Sequence, residues 1–391
     1  MKKFLNLLLC IAIGAGLAAI FYNVYNSETI RAYLTERAEV SLPADFNGEK
    51  PFSDYYYNKL NDKQKHAYVC IFNEVREHPE KIQIPSLSFD EMKKVFQYLK
   101  YDNPDLICLS DKCYLITESF KTYFSADYSA EKEQCKNNTE RMISAAKQIS
   151  DTAEEKFDSL YERELYIHDS IVDMCEYGSD EFDSTAYGCL INNKAVCSGY
   201  AYSAMLILNY AGIKTVVIPG KATSDKKTEL HLWNMVELDG EEYFLDVTWD
   251  DPDFDKSVSP SHLYFNVTES YISATHSDFD ALSVHCTGTK YNYFVYNSLL
   301  FDKYDYTVTD MIINRCIDEV NNGNLSVEFM FTNDVFNDAV MALFGKGSDD
   351  SDADIRKVIF YVSAGTENKI TSNKISYAVD ESTNSIRIIF E

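Results

Sequence analysis

The stretch AVCSGYAYSAMLILNYAGI, from Ala195 to Ile213, decides how the middle of this chain folds. Its apolar residues continue from Ala201 to Tyr210, and Gly212 is of the type that ends helices. The sequence therefore predicts a helix whose first turn carries Cys197. A cysteine in that place can be a small buried hydrophobic residue, half of a disulfide or a nucleophile.

Two features of the first turn favour the nucleophile. The positive end of a helix dipole stabilises a thiolate there. Ser198 and Gly199 are small, so we expect a substrate to reach the sulfur of Cys197. A nucleophilic cysteine also needs a basic partner and a group that orients that partner.

Alternating strand patterns follow the helix, in TVVIPG, LHLWNMVEL and EEYFLDVTW. The last two flank Asp239-Gly240, which is a strong signal for a two-residue hairpin turn. Such a turn pairs Leu238 with Glu241 and sets the register of the whole hairpin.

In this register Trp233 faces Asp246, and His231 becomes a diagonal neighbour of Asp246 on the same face. Diagonal side chains are close enough for the longer ones to meet. We therefore expect a hydrogen bond between the Asp246 carboxylate and the His231 imidazole. A one-residue bulge would move the two side chains to opposite faces.

The segments AVCSGYA and HLWNMVELDGEEYFLDVTWDDP resemble the transglutaminase-like superfamily of papain-like thiol enzymes, and most closely its bacterial, often exported branch. ELYIHDSIVDMCEYG and AYGCLINNKAVC are similar to the segment before the cysteine in that branch. The likeness covers Glu155–Asp253, extends weakly back to Tyr55, and does not cover the last hundred or so residues. One departure is Leu232, where the family often has a small residue.

The resemblance implies a catalytic triad of Cys197, His231 and Asp246. Cys197 would attack an amide carbonyl and form a thioester, His231 would accept and return the proton, and Asp246 would fix the imidazole tautomer. Water would complete hydrolysis and an amine would complete transfer. The N–H of Cys197 itself is the expected oxyanion donor, and no cofactor is implied.

The composition of the chain limits the number of domains and the classes of function that it can have. The chain has 391 residues, too many for one ordinary core, and its 46% hydrophobic content is that of a globular protein. The net charge is −26 and no cluster of Lys and Arg offers a surface for phosphates, so we expect no nucleic-acid partner.

The N-terminus predicts export. Lys2 and Lys3 precede an apolar run from Phe4 to Tyr22, which is about long enough to cross a bilayer. We expect an uncleaved membrane anchor with the bulk of the chain outside, or else a cleaved signal and a secreted protein. The sequence does not predict an oligomeric state.

The expected domain organisation has five parts. They are a signal anchor or signal peptide (1–25), a spacer (26–54), a mostly helical region (55–145), a transglutaminase-like domain (146–286) and a small C-terminal α+β domain of unknown role (287–391). Within them we predict a long helical region broken near Ser150 and, among the last strands, a strand at KVIFYVS.

The ten cysteines leave an odd number once Cys10 is set aside, which suggests a free thiol. Cys108 with Cys113, and Cys175 with Cys189, are close enough in sequence to pair, although connectivity cannot be deduced from sequence.

The other candidate residues favour structural roles. Trp233, Asn234, Trp249 and Tyr200 are expected to pack around the site, and Asp250 and Asp251 to form a turn. His168 beside Asp169 is expected to make a local or interhelical hydrogen bond.

No metal site is expected. His262, His276 and His285 lack metal-ligand spacing, and the acidic stretch GSDDSDADI lacks the Gly and Glu of a calcium loop.

The sequence therefore predicts an α+β protein with a helix bearing Cys197 packed on an antiparallel sheet. The predicted function is that of a membrane-tethered, extracellular cysteine peptidase acting on peptide or protein amides. The alternatives are a cross-linking transglutaminase and a non-catalytic surface or adhesion module on the same fold.

Overall fold

The computed structural model describes residues 42–224, 227–251, 259–279, 283–345, 353–366, 370 and 375–390. The apolar run Phe4–Tyr22 and the acidic residues 347–352 lie outside these ranges. Among the described residues, no helix combines the length and the apolar character needed to span a membrane.

The chain divides into two compact units, Met1–Asn137 and Asn138–Glu391. The boundary expected at 286/287 falls inside the second unit, so the five-part organisation stays a prediction.

The first unit packs two capped helices with a small antiparallel sheet in the order β1-β3-β2. Its elements are α1 (Asp62–Glu74), β1 (Ile82–Ile84), α2 (Phe89–Asp102), β2 (Leu109–Glu118) and β3 (Lys121–Tyr128). The predicted capping box at Ser88 and Glu91 is confirmed. The sequence predicts a mostly helical region here, and the structure contains a three-stranded sheet as well as the helices.

The cysteine pairing expected from sequence proximity is wrong. Cys108 forms a disulfide with Cys135 and not with Cys113, and Cys175 and Cys189 keep their thiols rather than forming a disulfide. The hairpin formed by β2 and β3 returns the chain to Cys108, since the N–H of Ser129 bonds the carbonyl of Cys108 at 2.9 Å. The tertiary return of the chain, rather than distance in sequence, selects the partner.

The long helical region is broken later than expected. Helix α3 runs without interruption from Lys132 to Lys156, and α4 spans Leu160–Met174. Ser159 caps α4 by accepting a hydrogen bond from the N–H of Glu162 at 3.1 Å. The Ser-x-x-Glu signature there is the true boundary signal, whereas Ser150 is buried within α3.

The centre of the second unit is a four-stranded antiparallel sheet in the order β8-β7-β6-β9, with helices packed against it. Its elements are β4 (Glu176–Tyr177), α5 (Ala186–Asn192), β5 (Lys194–Ala195), α6 (Cys197–Tyr210), β6 (Lys214–Ser224), β7 (Lys227–Leu238), β8 (Glu241–Leu245), α7 (Glu269–Ile272) and β9 (His276–Ser277).

Helix α6 begins at Cys197 and lies on this sheet, as predicted. All its residues from Gly199 to Leu208 are buried. The side-chain amide of Asn234 in β7 donates to the carbonyl of Ala201 at 2.9 Å and so fixes the helix to the strand. The α+β fold class, with the cysteine-bearing helix on an antiparallel sheet, is confirmed.

The hairpin register is also confirmed. Leu238 pairs with Glu241 and Asn234 pairs with Leu245. Asp239 and Gly240 both have positive φ, 52° and 82°, as a two-residue turn of the primed type requires. The strand β8 ends at Leu245, so Asp246 is the first residue beyond it.

The C-terminal part of the second unit has its own apolar core around a sheet in the order β10-β11-β13-β12. Its elements are α8 (Tyr293–Tyr296), β10 (Leu300–Phe301), α9 (Tyr306–Asn322), β11 (Ser326–Phe331), α10 (Phe336–Phe344), α11 (Ile355–Gly365), β12 (Ile375–Asp380) and β13 (Ser385–Phe390).

The strand predicted at KVIFYVS is wrong, because these residues lie within helix α11. Val358 and Val362 are buried one turn apart, while Phe360 remains 67% exposed. Burial at i and i+4 follows the helical period, so packing against the C-terminal core overrode the β propensity of the run.

Candidate active site

Cys197 is the first residue of α6, with Val196 as the helix N-cap. Its thiol is free and partly exposed. The N–H groups of Gly199 and Tyr200 both bond the carbonyl of Val196, at 2.9 and 3.3 Å, and so start the helix. Cys197 therefore lies at the positive end of the α6 dipole.

Gly199 serves packing rather than access to substrate, which corrects the expectation from sequence. It is buried, and a Cβ there would lie 2.5 Å from the carbonyl oxygen of Asp183 and 2.6 Å from the Cβ of Ala195. Only glycine lets the first turn of α6 approach these groups so closely. Gly199 thus helps to position Cys197 by letting the first turn of α6 pack against Asp183 and Ala195.

His231 on β7 meets Asp246 beyond the end of β8, as the hairpin register predicts. Nε2 of His231 lies 2.6 Å from Oδ2 of Asp246. The Asp246 side chain is 1% exposed and that of His231 is 8% exposed. The carboxylate is therefore shielded from water, while the imidazole keeps a small opening to solvent.

The thiol of Cys197 lies close enough to the His231 side chain to help raise the pKa of that imidazole. Because Nε2 is engaged by Asp246, the nitrogen that remains for the thiol is Nδ1. The three residues predicted from sequence are thus brought together in the order Cys197, His231, Asp246.

The positive charge of His231 and the negative charge of Asp246 stabilise each other. Burial by itself lowers the pKa of His231, but the Asp246 carboxylate and the hydrogen bond with Cys197 outweigh burial and raise that pKa to about 10. Burial opposes ionisation of Asp246, yet His231 and His276 hold its pKa well below the usual range. A protonated His231 next to an ionised Asp246 is the favoured state at neutral pH.

Sequence reasoning missed His276. Nε2 of His276 lies 2.9 Å from the same Oδ2 atom of Asp246, and its Nδ1 lies 2.8 Å from Oγ1 of Thr275. The residue reaches the site because the two-residue strand β9 pairs with the far side of β6. No local pattern marks so short a strand.

Asp246 is held from four directions. Besides the two imidazoles on Oδ2, its Oδ1 accepts from the N–H groups of Thr248 and Trp249, at 3.1 and 3.3 Å.

We call Cys197, His231, Asp246 and His276 the Cys197 cluster.

Aromatic rings enclose this cluster, as expected for packing residues. Trp233 is fully buried and its ring stacks 5.9 Å from that of His231. The ring of Trp249 lies 4.7 Å from that of His276. A Cβ on Gly220 would lie 2.5 Å from Trp233, so the indole fits against bare backbone.

Asp250 and Asp251 lie in a turn, as predicted, but their side chains are buried and bonded. Oδ1 of Asp250 accepts from the N–H of Tyr264 at 3.0 Å, and Oδ2 of Asp251 accepts from the hydroxyl of Tyr200 at 2.5 Å. Tyr200 therefore joins α6 to this turn. The acidic pair is part of the interior and not a solvated turn.

Comparison with solved structures found matches that include three at low sequence identity. No family model and no curated protein matches the chain. It is similar to a crystal structure described as a TGase, with 14% identity and a TM-score of 0.25 over 36% of this chain and 45% of that chain.

Two further similar structures are described as candidate proteases. One is a candidate cysteine protease from Cytophaga hutchinsonii, with 14% identity and a TM-score of 0.24 over 35% of this chain and 61% of that chain. The other is from Parabacteroides distasonis ATCC 8503, with 13% identity and a TM-score of 0.22 over 34% of this chain and 35% of that chain.

The chain spans less than two thirds of each of these structures. At this similarity they say nothing about activity, and the α+β core stands on the elements described above.

Proposed function

We propose that this protein is a transglutaminase-like cysteine enzyme that acts on peptide or protein amide bonds through a Cys197 thioester. The proposal depends on one observation, the position of His231 between the free thiol of Cys197 and the buried carboxylate of Asp246. This is the order of groups that nucleophilic thiol catalysis requires.

The reaction follows from these contacts. His231 holds the proton of Cys197, and the thiolate attacks the amide carbonyl to form a tetrahedral intermediate. His231 then protonates the leaving amine, and a thioester remains on Cys197. Water attacks the thioester with His231 as base, which releases the acid and restores the thiol.

Two further groups assist this sequence. Asp246 keeps Nε2 of His231 protonated and stabilises the imidazolium. The N–H of Cys197 lies in the first turn of α6, where backbone N–H groups have no intrahelical acceptor, and is the proposed oxyanion donor.

Hydrolysis is favoured over amine transfer. Cys197 is partly exposed and His231 keeps 8% exposure, so water can reach the thioester. Transfer requires a site that excludes water and admits an amine. The alternatives are a cross-linking transglutaminase and a non-catalytic surface module.

We also propose that the protein is exported and tethered to a membrane by Phe4–Tyr22. The disulfide between Cys108 and Cys135 supports this location, because disulfides persist mainly in oxidising compartments. Protease treatment of intact cells should trim the protein. Recovery of the full-length chain in the cytosolic fraction would contradict export.

The catalytic proposal is tested with a peptide carrying an electrophilic, thiol-reactive amide analogue. We expect rapid labelling of Cys197, identified by peptide mass spectrometry, and a loss of labelling in His231→Ala. Cys113 is the matched control, because it is also free and partly exposed and has no histidine among the neighbours that affect its pKa.

Equal labelling of Cys113 and Cys197 would show accessibility alone and would favour the non-catalytic module. Hydrolysis and transfer are then separated with a glutamine-containing peptide and a primary amine. Cleavage of the peptide backbone in the presence of the amine supports the peptidase, conversion of glutamine to glutamate supports hydrolysis of the side-chain amide, and incorporation of the amine supports the transglutaminase.

A further inference from the structure

A second group of two histidines and one aspartate lies outside the Cys197 cluster. Nδ1 of His168 and Nε2 of His262 each lie 2.9 Å from Oδ1 of Asp169. These three atoms all lie within 4.8 Å of one another. We call His168, Asp169 and His262 the cavity cluster, and nothing in the proposed thiol chemistry uses it.

The outer nitrogen of His168 faces a fourth residue. Its Nε2 lies 3.2 Å from Oδ2 of Asp250, and both side chains are fully buried. In the tautomer that donates to this carboxylate, Nε2 of His168 carries the proton and Nδ1 keeps a free lone pair. A carboxylate behind an imidazole in this way presents the opposite nitrogen, Nδ1, to a metal ion.

His262 is also held in place. Its ring stacks on that of Tyr293, with centroids 3.9 Å apart and planes 9° from parallel. Its backbone N–H donates to Oε2 of Glu328 at 3.2 Å. Nε2 of His262 therefore points at Asp169 from a fixed ring.

The cluster opens on a cavity. Asp169 and His262 line a space of about 360 Å³, together with Asp173, Tyr293 and Glu328 among others. The Asp169 side chain is 35% exposed, whereas His168 is fully buried. An ion can enter from the cavity, and water can occupy a further coordination position there.

We propose that Nδ1 of His168, Oδ1 of Asp169 and Nε2 of His262 bind one divalent transition-metal ion of the zinc class. Two imidazoles with one carboxylate suit zinc rather than the all-oxygen shells of calcium and magnesium. Three protein ligands with an open position match zinc sites that retain a water. The metal takes the place of the proton on Nδ1 of His168, while Asp250 keeps the proton on Nε2.

The Cys197 cluster is the internal control for this proposal. It contains the same set of ligand types, His231, Asp246 and His276. Within the part of the chain that the structure describes, however, the groups behind its imidazoles are the thiol of Cys197 and the hydroxyl of Thr275 rather than a second carboxylate. We therefore expect the metal at the cavity cluster alone.

The test is made with the full-length chain in detergent, in a Cys197→Ala background so that this thiol cannot bind zinc. After chelator treatment, ZnCl2 is titrated by calorimetry and CoCl2 by visible absorption. We expect one ion per chain, the absorption of four-coordinate Co²⁺, and an unfolding midpoint raised by about 5 °C at a hundredfold excess of zinc over Kd.

Variants locate the ion. His262→Ala should lower zinc affinity about 100-fold or more, and Asp250→Asn about 10- to 100-fold. His276→Ala should leave it within about twofold. Affinity lost in His276→Ala but kept in His262→Ala would place the metal at the other cluster and overturn the proposal.

The Co²⁺ titration of the parent chain decides the matter even if a variant fails to fold. No binding, or binding without imidazole ligation in X-ray absorption, would show that the cavity cluster is only a hydrogen-bond network. Because Cys197 is absent from every sample, this result is independent of the proposed amide chemistry.

Discussion

The two His–Asp–His groups differ in the partner that the outer nitrogen of one imidazole faces. In each, two imidazole nitrogens contact one oxygen, Oδ2 of Asp246 or Oδ1 of Asp169. In the Cys197 cluster the outer nitrogen of His231 faces a thiol at a helix N-terminus. In the cavity cluster the outer nitrogen of His168 faces a buried carboxylate.

This difference assigns different chemistry to the same residues. A thiol behind an imidazole gives a proton acceptor next to a nucleophile. A carboxylate behind an imidazole gives a metal ligand. The outer partner, and not the His–Asp–His composition, decides what each cluster is expected to do.

The sharpest test of the comparison is loss of turnover in the Cys197 cluster. Cys197→Ala should abolish thioester formation, and His231→Ala should lower kcat on the order of 10⁵- to 10⁶-fold, because the thiol keeps its proton. Asp246→Ala should cost about 10⁴-fold, because the imidazole is misoriented rather than absent. Steady-state kinetics on a peptide found by labelling measure all three.

All three variants should remain folded. Loss of folding in Cys197→Ala would favour a structural cysteine, and unchanged activity in His231→Ala would remove the mechanism.

The next effect concerns pH. The pKa of His231 is raised to about 10, so the protonated imidazole persists until the pH passes that value, and activity should fall only near pH 10. Asp246→Asn removes the main group that raises this pKa. The basic limb should then move down by about 2–3 pH units, towards the ordinary histidine value.

The raised pKa of His231 also stabilises the folded state. This contribution to the free energy of unfolding is complete below about pH 6.5 and is lost as the pH rises towards 10. The control is Asp239→Asn, at the exposed hairpin turn with φ of 52°, which should keep the parental pH profile. A basic limb that stays in place in Asp246→Asn would mean that another group controls it.

His276 is predicted to be a positioning residue, with a smaller effect. His276→Ala removes one of the two imidazoles on Oδ2 of Asp246 and should lower kcat about 10- to 100-fold with little change in KM. His276→Gln can still donate to Asp246 and should recover part of the loss. His285→Ala is the control, because that side chain is 76% exposed.

An equal loss in the His276→Ala and His276→Gln variants, or a change confined to KM, would contradict positioning. It would indicate a packing role against Trp249 or direct contact with substrate.

The smallest predicted effect concerns the residue between the clusters. Asp250 bonds His168, and its N–H bonds the carbonyl of Asp246 at 3.3 Å. Asp250→Asn leaves a buried amide in an acceptor's place and should lower the free energy of unfolding by about 1–3 kcal/mol. Urea denaturation measures this change.

Asp278→Asn is the comparison, since its ion pair with Lys221 is exposed and should contribute less than about 1 kcal/mol. If Asp250→Asn is no more destabilising than Asp278→Asn, the second carboxylate is not what distinguishes the cavity cluster.

Local signals in the sequence predicted the helix start and the hairpin register that position the candidate site. The Asp239-Gly240 turn fixes the register, and the register brings His231 to Asp246. The helix start at Cys197 follows from the apolar run that begins after it. These elements depend on residues close in the chain or on a strict period, so the sequence predicts them without knowledge of the tertiary structure.

The strand expected at KVIFYVS shows where local signals fail. Its β-branched and aromatic residues favour a strand, yet burial of Val358 and Val362 in the C-terminal core makes it a helix. The cysteine pairing failed for the same reason, because Cys135 meets Cys108 only after a hairpin has turned the chain back.

The sequence by itself determined the helix of Cys197, the hairpin register and the meeting of His231 with Asp246, because each depends on residues close in the chain or on a fixed period. Only the tertiary structure decided that His276 joins Asp246, that His262 joins Asp169 across a separation of 93 residues, and that Asp250 joins His168 across a separation of 82 residues. Contacts over such distances depend on how strands and helices pack, and no periodicity in the chain records them.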